Sequence, residues 1–167
     1  MKDISELSSC LEQMGAVLEQ HLMEAQSQAA DLMWEDAYTN ANRDTGAYAL
    51  SIYKGPTEVV DGNIQTFIGS EATVETKSGK TYNLGWLLET GTPAHLIEPV
   101  EKKCLHFITK DGKEVFTKLV NHPGTKANNT YHNAFVNNQL EYQELLVQAC
   151  AKAFKEAFKW EPIYKVY

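Results

Sequence analysis

Arginine occurs once, at Arg43, and the chain of 167 residues carries a net charge of −7. A protein that grips nucleic acid neutralises phosphates with clustered Lys and Arg. This balance argues against such a grip, and a nucleic acid meeting this surface is expected to pass along it. No apolar run approaches the roughly 20 residues that a membrane-spanning helix needs. The start MKDISELSSC is polar and acidic, so it does not read as a secretory signal. Cysteine is scarce. Cys10, Cys104 and Cys150 are odd in number and far apart, which argues against a disulfide framework and for free thiols in a reducing cytosol.

The usual enzyme signatures are missing as well. No Ser lies in a G-x-S-x-G elbow, and Ser70, Gly79 and Gly85 make no phosphate-cradling fingerprint. His95, Cys104, His106, His122 and His132 crowd the second half of the chain, and zinc wants three or four N/S ligands close together. Yet Cys104-x-His106 places two side chains on one strand face, and no CxxC, HxxxH or HExxH is present. Glu89 and Glu98 flank the Thr-Gly-Thr-Pro turn as a possible carboxylate pair, but the aromatic and polar surround of a glycosidase cleft is thin. Asn128-Asn129-Thr130 is a formal glycosylation sequon, read as chance without a secretory signal. No cofactor and no metal are expected. The one enzyme alternative carried forward is a metal-dependent hydrolase using His95, His106 and His122. An adaptor whose long helix binds another helix is a further alternative.

What is present is 43% hydrophobic and 22% charged, an ordinary composition for one globular domain over 1–167. Charge is uneven: residues 1–43 sum to −6, 44–100 to −4 and 101–167 to +3. Apolar side chains at Ile4, Leu7, Leu11, Met14, Leu18, Leu22, Ala25, Ala29 and Leu32 recur in steps of three and four, which predicts an amphipathic helix over about 3–42. That length far exceeds a domain of this size. The helix is therefore expected either to break, near Gly15 or at 26–28, or to project. Asn42 to Gly46 stops it, with Asp44 or Thr45 as a cap for the short turn AYALSIYKG.

A sheet region is expected over 44–128. Asp61-Gly62 between TEVV and NIQTFIGS predicts one hairpin, and Asp111-Gly112 between CLHFITK and KEVFTKLV predicts a second. Ser78-Gly79-Lys80 reads as a tight turn into a strand, TYNLGWLLE, whose apolar end is Trp86, Leu87 and Leu88. Residues 121–130 read as a polar loop. Helical period returns from about 131 to 160, with Pro162 beyond it. The fold class is α+β: a long N-terminal helix, an antiparallel meandering sheet with two hairpins, and a C-terminal helix packed on the sheet.

The order of the motifs adds to this. Asp44-Thr45-Gly46-Ala47-x-x-x-Ser51-Ile52 follows the long helix, and then comes Tyr82-x-x-x-Trp86-Leu87-x-Glu89-x-Gly91-Thr92. His95-x-Ile97-x-Pro99, Lys103-x-Leu105-x-Phe107, Val120-x-His122-Pro123-Gly124-Thr125 and Ala134-Phe135 follow. Over about residues 1–160 this resembles the tail-completion family of long-tailed bacteriophages, minor tail components of the head–tail joint. The chain departs from that pattern where Ala47-Tyr48-Ala49-Leu50 displaces the leucine after Thr-Gly, and where Asn129-Thr130-Tyr131 replaces Pro-Phe-Leu.

The resemblance implies a non-enzymatic virion protein of the neck, made in the host cytoplasm. It would form a ring, usually a hexamer, around a channel through which DNA passes without specific binding. The other partners it implies are tail and neck proteins, a tail terminator or tube on one side and a head-side connector or stopper on the other, with no membrane. The rival role within that class is the tail terminator ring. A ring needs one patch to meet a different patch on the next copy. The residues expected at that subunit or neck interface are Trp86, Leu88, Glu89, Thr90, Gly91, Thr92, Pro93 and His95, with His122, Pro123 and Gly124 from the second motif. The competing placement for Trp86 is the core.

Overall fold

The structure is a computed structural model that describes residues 4–43, 46–75 and 79–159. Asp44, Thr45, Ser78, Trp160 and Pro162, named above as caps, turn and helix stop, lie outside the described residues. Within the span expected as one domain, the chain clusters into two compact units, one from residues up to 72 together with those from 130 onward, the other from 73–129.

The first unit begins with α1 (Ile4–Asn40), 37 residues without a break. Gly15 sits on an exposed position with open space around it. Its cost of about 1 kcal/mol relative to Ala is spread over a helix rich in Ala, Leu, Glu and Gln, so the helix does not break. At ~1.5 Å per residue it spans about 55 Å, and Ile4, Leu7 and Leu11 at its start are exposed. Of the two expectations, break or projection, the break is not taken, and the first turns lie beside Ala157 and Lys159 at the end of the C-terminal helix.

After α2 (Ala47–Leu50), β1 (Ile52–Val60) and β2 (Asn63–Ser70) form the first predicted hairpin. Asp61 and Gly62 both have positive φ, 51° and 77°, the pairing that a two-residue hairpin turn demands. The ladder slips between Lys54 and Thr57, at Gly55-Pro56, because proline has no N–H to donate. Trp34 of α1 donates its indole N–H to the Ile52 carbonyl at 3.1 Å, and Asp31 pairs with Lys54. These contacts hold the hairpin to α1.

The C-terminal helix α4 (Thr130–Phe158) runs antiparallel along α1. Asp36 accepts from Asn137 and Asn138 at 2.9 and 3.2 Å. Gln26 accepts from Tyr142 at 2.8 Å, and His21 meets Glu156 at 3.1 Å. Gln20 donates to Glu24 at 3.2 Å and His21 lies 3.4 Å from its other oxygen, which together hold the Glu24 carboxyl below its ordinary value. The seam itself is alanine. Ala25, Ala29 and Ala37 on α1, and Ala41 just past its end, are buried at steps of four or eight, and Ala149, Ala153 and Ala157 on α4 at steps of four. Four-step ridges pack into one another, and alanine ridges let the helices approach closely. The partner that buries α4 is therefore α1, and α1 is the helix that lies on the strands.

The second unit holds β3 (Thr73–Glu75) paired with β4 (Thr81–Asn83), then α3 (Leu84–Thr90). It continues with β5 (His95–Ile97), β6 (Leu105–Ile108), β7 (Glu114–Thr117) and β8 (Val120–His122). The second predicted hairpin is β6 with β7, and β5 pairs with β8, all antiparallel. The described strands thus form four separate two-stranded ladders. Two expectations are corrected. Trp86, Leu87 and Leu88 are helical, not a strand end, because the Asn83 side chain accepts from the Trp86 N–H at 2.8 Å and caps the turn. The polar loop at 121–130 begins as strand β8, since Asn121 and His122 pair with Leu96 and His95.

The alanine seam makes a direct prediction. Ala29 is 1% exposed, so Ala29→Leu overpacks the helix pair and costs about 1–3 kcal/mol. It is read as a lower urea midpoint at unchanged slope. An unchanged midpoint would show that the helices leave room there.

Candidate functional site

The residues singled out by motif order fall on two segments of the second unit, and the structure sets one against the other. Helix α3 carries the first. Its cap is Asn83, Thr90 donates its hydroxyl to the Trp86 carbonyl at 2.8 Å, and Gly91 leaves the helix at φ 71°. Trp86 points outward and is 64% exposed, so it does not belong to a core. Leu88 and Glu89 are half-buried and Thr90 is exposed.

The second segment, His122-Pro123-Gly124-Thr125, runs beside Gly91-Thr92-Pro93. Thr92 and Thr125 exchange both backbone bonds, at 2.9 and 3.0 Å, and the Thr125 N–H lies 3.1 Å from the Thr92 hydroxyl. Asn128 donates its N–H to the Leu88 carbonyl at 2.8 Å, satisfying one of the carbonyls that a helix end leaves open. Both glycines are required by space. A Cβ on Gly91 would sit 2.4 Å from the Thr125 carbonyl oxygen, and one on Gly124 would sit 2.2 Å from that of Thr92. The two Gly-Thr dipeptides therefore form a backbone clasp, each glycine making room for the other segment.

His95 and His122 close one end of the clasp. They are register partners in the β5–β8 ladder, with ring centroids 5.0 Å apart and planes at 33°. His95 Nδ1 lies 2.9 Å from the Pro93 carbonyl, which can only accept, so that nitrogen carries the proton. His122 Nδ1 accepts from the Gly124 N–H at 3.1 Å, so its proton is on Nε2. Each imidazole thus has one nitrogen engaged in holding a turn of the clasp.

His106 is elsewhere. It stands on β6, its ring stacked on Phe116 at 4.4 Å and 3.7 Å from Glu114. Among the described residues no group of three His, Cys, Asp or Glu is placed to hold a metal ion. The three histidines of the hydrolase alternative are thus divided between a pair and a separate hairpin. Glu98 lines an open depression of about 390 Å³ with Cys104, His106 and neighbouring residues, and Glu89 does not. Ser51 donates to the Tyr48 carbonyl at 2.6 Å and meets the Ser70 hydroxyl, a turn-holding role. None of the three cysteines is in a disulfide.

Sequence reasoning named both motifs and did not join them. One signal was available: Gly-Thr occurs in each, within four residues of His95 in one and of His122 in the other. Comparison of the chain with protein-family models, curated proteins and solved structures returned no match. No described helix is long and apolar enough to cross a membrane.

Gly124→Ala tests the clasp. The residue holds φ 85°, where an L side chain costs roughly 1–2 kcal/mol before the clash with Thr92 is counted. Amide exchange at residues 92–97 and 120–125 is expected to speed up about tenfold or more, with the α1 amides unchanged. Unaltered exchange at 92–97 would show that the segments do not depend on each other.

Proposed function

We propose that the chain is a non-enzymatic structural protein of the neck of a long-tailed phage. It completes the tail and contributes to head–tail joining as a ring around the DNA channel, located in the virion after assembly in the host cytoplasm. The observation that carries this reading is the clasp. Two of the motifs that carry the resemblance, Glu89-x-Gly91-Thr92 and His122-Pro123-Gly124-Thr125, are far apart in sequence and hydrogen-bonded to each other.

Two further features support it. α3 is capped by Asn83 at one end and its Leu88 carbonyl accepts from Asn128 beside the clasp at the other, so exposed Trp86 is presented from a helix tied at both ends. A tryptophan so placed is the kind of residue that dominates a protein contact. Leu96, Val100, Ile108 and Phe116 are also exposed in the same unit. These side chains are available for a protein partner to cover. The acidic balance, −7 overall, suits a wall that DNA passes without being held.

The experiment is a Trp86→Ala substitution in the phage that encodes the chain, read by electron microscopy and mass spectrometry of purified particles. The expected result is about tenfold or more fewer joined particles, in line with losing one interface anchor, with separate heads and tails of normal length. Overlong tails would assign the terminator role instead. Absence of the chain from wild-type particles would end the virion reading.

A further inference from the structure

The β1–β2 hairpin has two edges, and they are built differently. β1 carries Lys54, Pro56 and Glu58, and its ladder slips at Gly55-Pro56. The Ile52 carbonyl already accepts from the Trp34 indole of α1. Charge, proline, a bulge and a covering element are the devices that keep a strand edge from pairing with another chain. β2 is bare by comparison. Over its eight residues, NIQTFIGS, it carries no Asp, Glu, Lys, Arg or Pro.

Backbone groups decide what such an edge takes. A two-residue turn makes its flanking residues, Val60 and Asn63, a hydrogen-bonded pair, and bonded and non-bonded pairs alternate from there. The odd-numbered residues of β2 therefore aim their N–H and C=O at β1, and Ile64, Thr66 and Ile68 aim theirs outward. The Glu71 N–H donating to the Ser51 carbonyl at 3.3 Å keeps the same alternation beyond the far end. Among the described residues, the outward backbone groups of Ile64, Thr66 and Ile68 meet no hydrogen-bond partner. A row of alternating free donors and acceptors fits another extended strand.

Thr66 stands at the centre of that row. A second β2 laid antiparallel, with the two-fold axis at Thr66, sets Thr66 against its own copy and Ile64 against Ile68 of the other chain. Every outward group then has a partner. The side chains agree with that register. Thr66 already meets its ladder partner Thr57, hydroxyl to hydroxyl at 2.7 Å, so the axis joins two threonine pairs into one row across both hairpins. Threonine and β-branched pairs of this kind stabilise a sheet, and an uncharged strand meets no like charge in its own copy. The strands of the second unit, β3 to β8, are only three or four residues long, too short to cover this edge.

We propose that β2 is a two-fold interface, pairing antiparallel with β2 of a second copy so that two hairpins form one continuous sheet. The outward row from Ile64 to Ile68 spans about 14 Å. A contact of that length buries well below the ~800 Å² per partner of a standard stable interface, so the pair is reversible and concentration-dependent. It is also independent of the ring. A two-fold contact uses the same surface of both copies, whereas a ring joins two different surfaces.

Sedimentation velocity of the full chain from roughly 10 µM to roughly 500 µM, with amide exchange followed by NMR at both ends of that range, tests this. The wild type is expected to pass from monomer to dimer, and exchange at Ile64, Thr66 and Ile68 to slow as it does. In this register Gln65 of one copy lies opposite Phe67 of the other, and both side chains are exposed. Gln65→Lys with Phe67→Lys sets like charges opposite each other, and Gln65→Lys with Phe67→Glu sets opposite charges there. The first double variant is expected to dimerise about tenfold or more weakly than the second, with circular dichroism confirming that both fold. A wild type that stays monomeric throughout overturns the proposal. So does a dimer in which residues 64, 66 and 68 exchange as fast as in the monomer, and so does equal association of the two double variants.

Discussion

The first unit depends on how closely two long helices can lie. Alanine at steps of four or eight on α1 and of four on α4 gives a seam without bulk, and alanine is also the best helix former. The same residues that permit close approach therefore also favour the helical state of the segment that carries them. The seam has a weakness. A buried alanine removes far less apolar area from water than a leucine, whose burial stabilises by about 1.5–3 kcal/mol. Polar pairs on the rim supply what the seam does not specify. Asp36 with Asn137 and Asn138, Gln26 with Tyr142, and His21 with Glu156 set the register of one helix along the other.

The second unit solves a different problem with the same device, a missing side chain. Isolated two-stranded ladders are marginal in water, and this unit contains three of them. The clasp between Gly91-Thr92 and Gly124-Thr125 joins the β5–β8 ladder to the end of α3, so that strand and helix order each other. The histidine pair stiffens the turns by donating at one ring and accepting at the other. The Gly124 N–H thus has the His122 ring as its acceptor, and the turn at Pro123 is tied to the ladder through that one bond.

How much of this was legible in the sequence follows from the range of each signal. The helices were legible because three- and four-step periodicity over tens of residues is unambiguous, and both Asp-Gly hairpins because their turns require positive φ. Leu84–Thr90 was not. A short apolar run reads equally as strand or helix, and only the Asn83 cap decides it. The pairing of β5 with β8 was not legible either, since Ile97 and its register partner Val120 are 23 positions apart and no local pattern records that distance. Motif order did gather the residues of the clasp, but it assigned them to an interface without seeing that Gly91 and Gly124 face each other's backbone. Their first role is to build the surface on which Trp86 stands.

Both units thus invert the usual arrangement, with small residues inside and large apolar ones outside. In the first unit, alanine fills the seam while Leu140, Val147 and Phe154 face solvent; in the second, glycines fill the clasp while Trp86 does. An isolated chain gains little from this inversion. Side chains that stabilise by burial are left wet, and what is buried is mostly alanine and backbone. The inversion becomes favourable once neighbours cover those side chains, because contacts absent from the monomer then add to its stability by mass action. On this reading the weak interior and the apolar exterior have one cause. A subunit whose large side chains are committed outward is stabilised by assembly, and the glycines and alanines within are what hold those side chains in position to be covered.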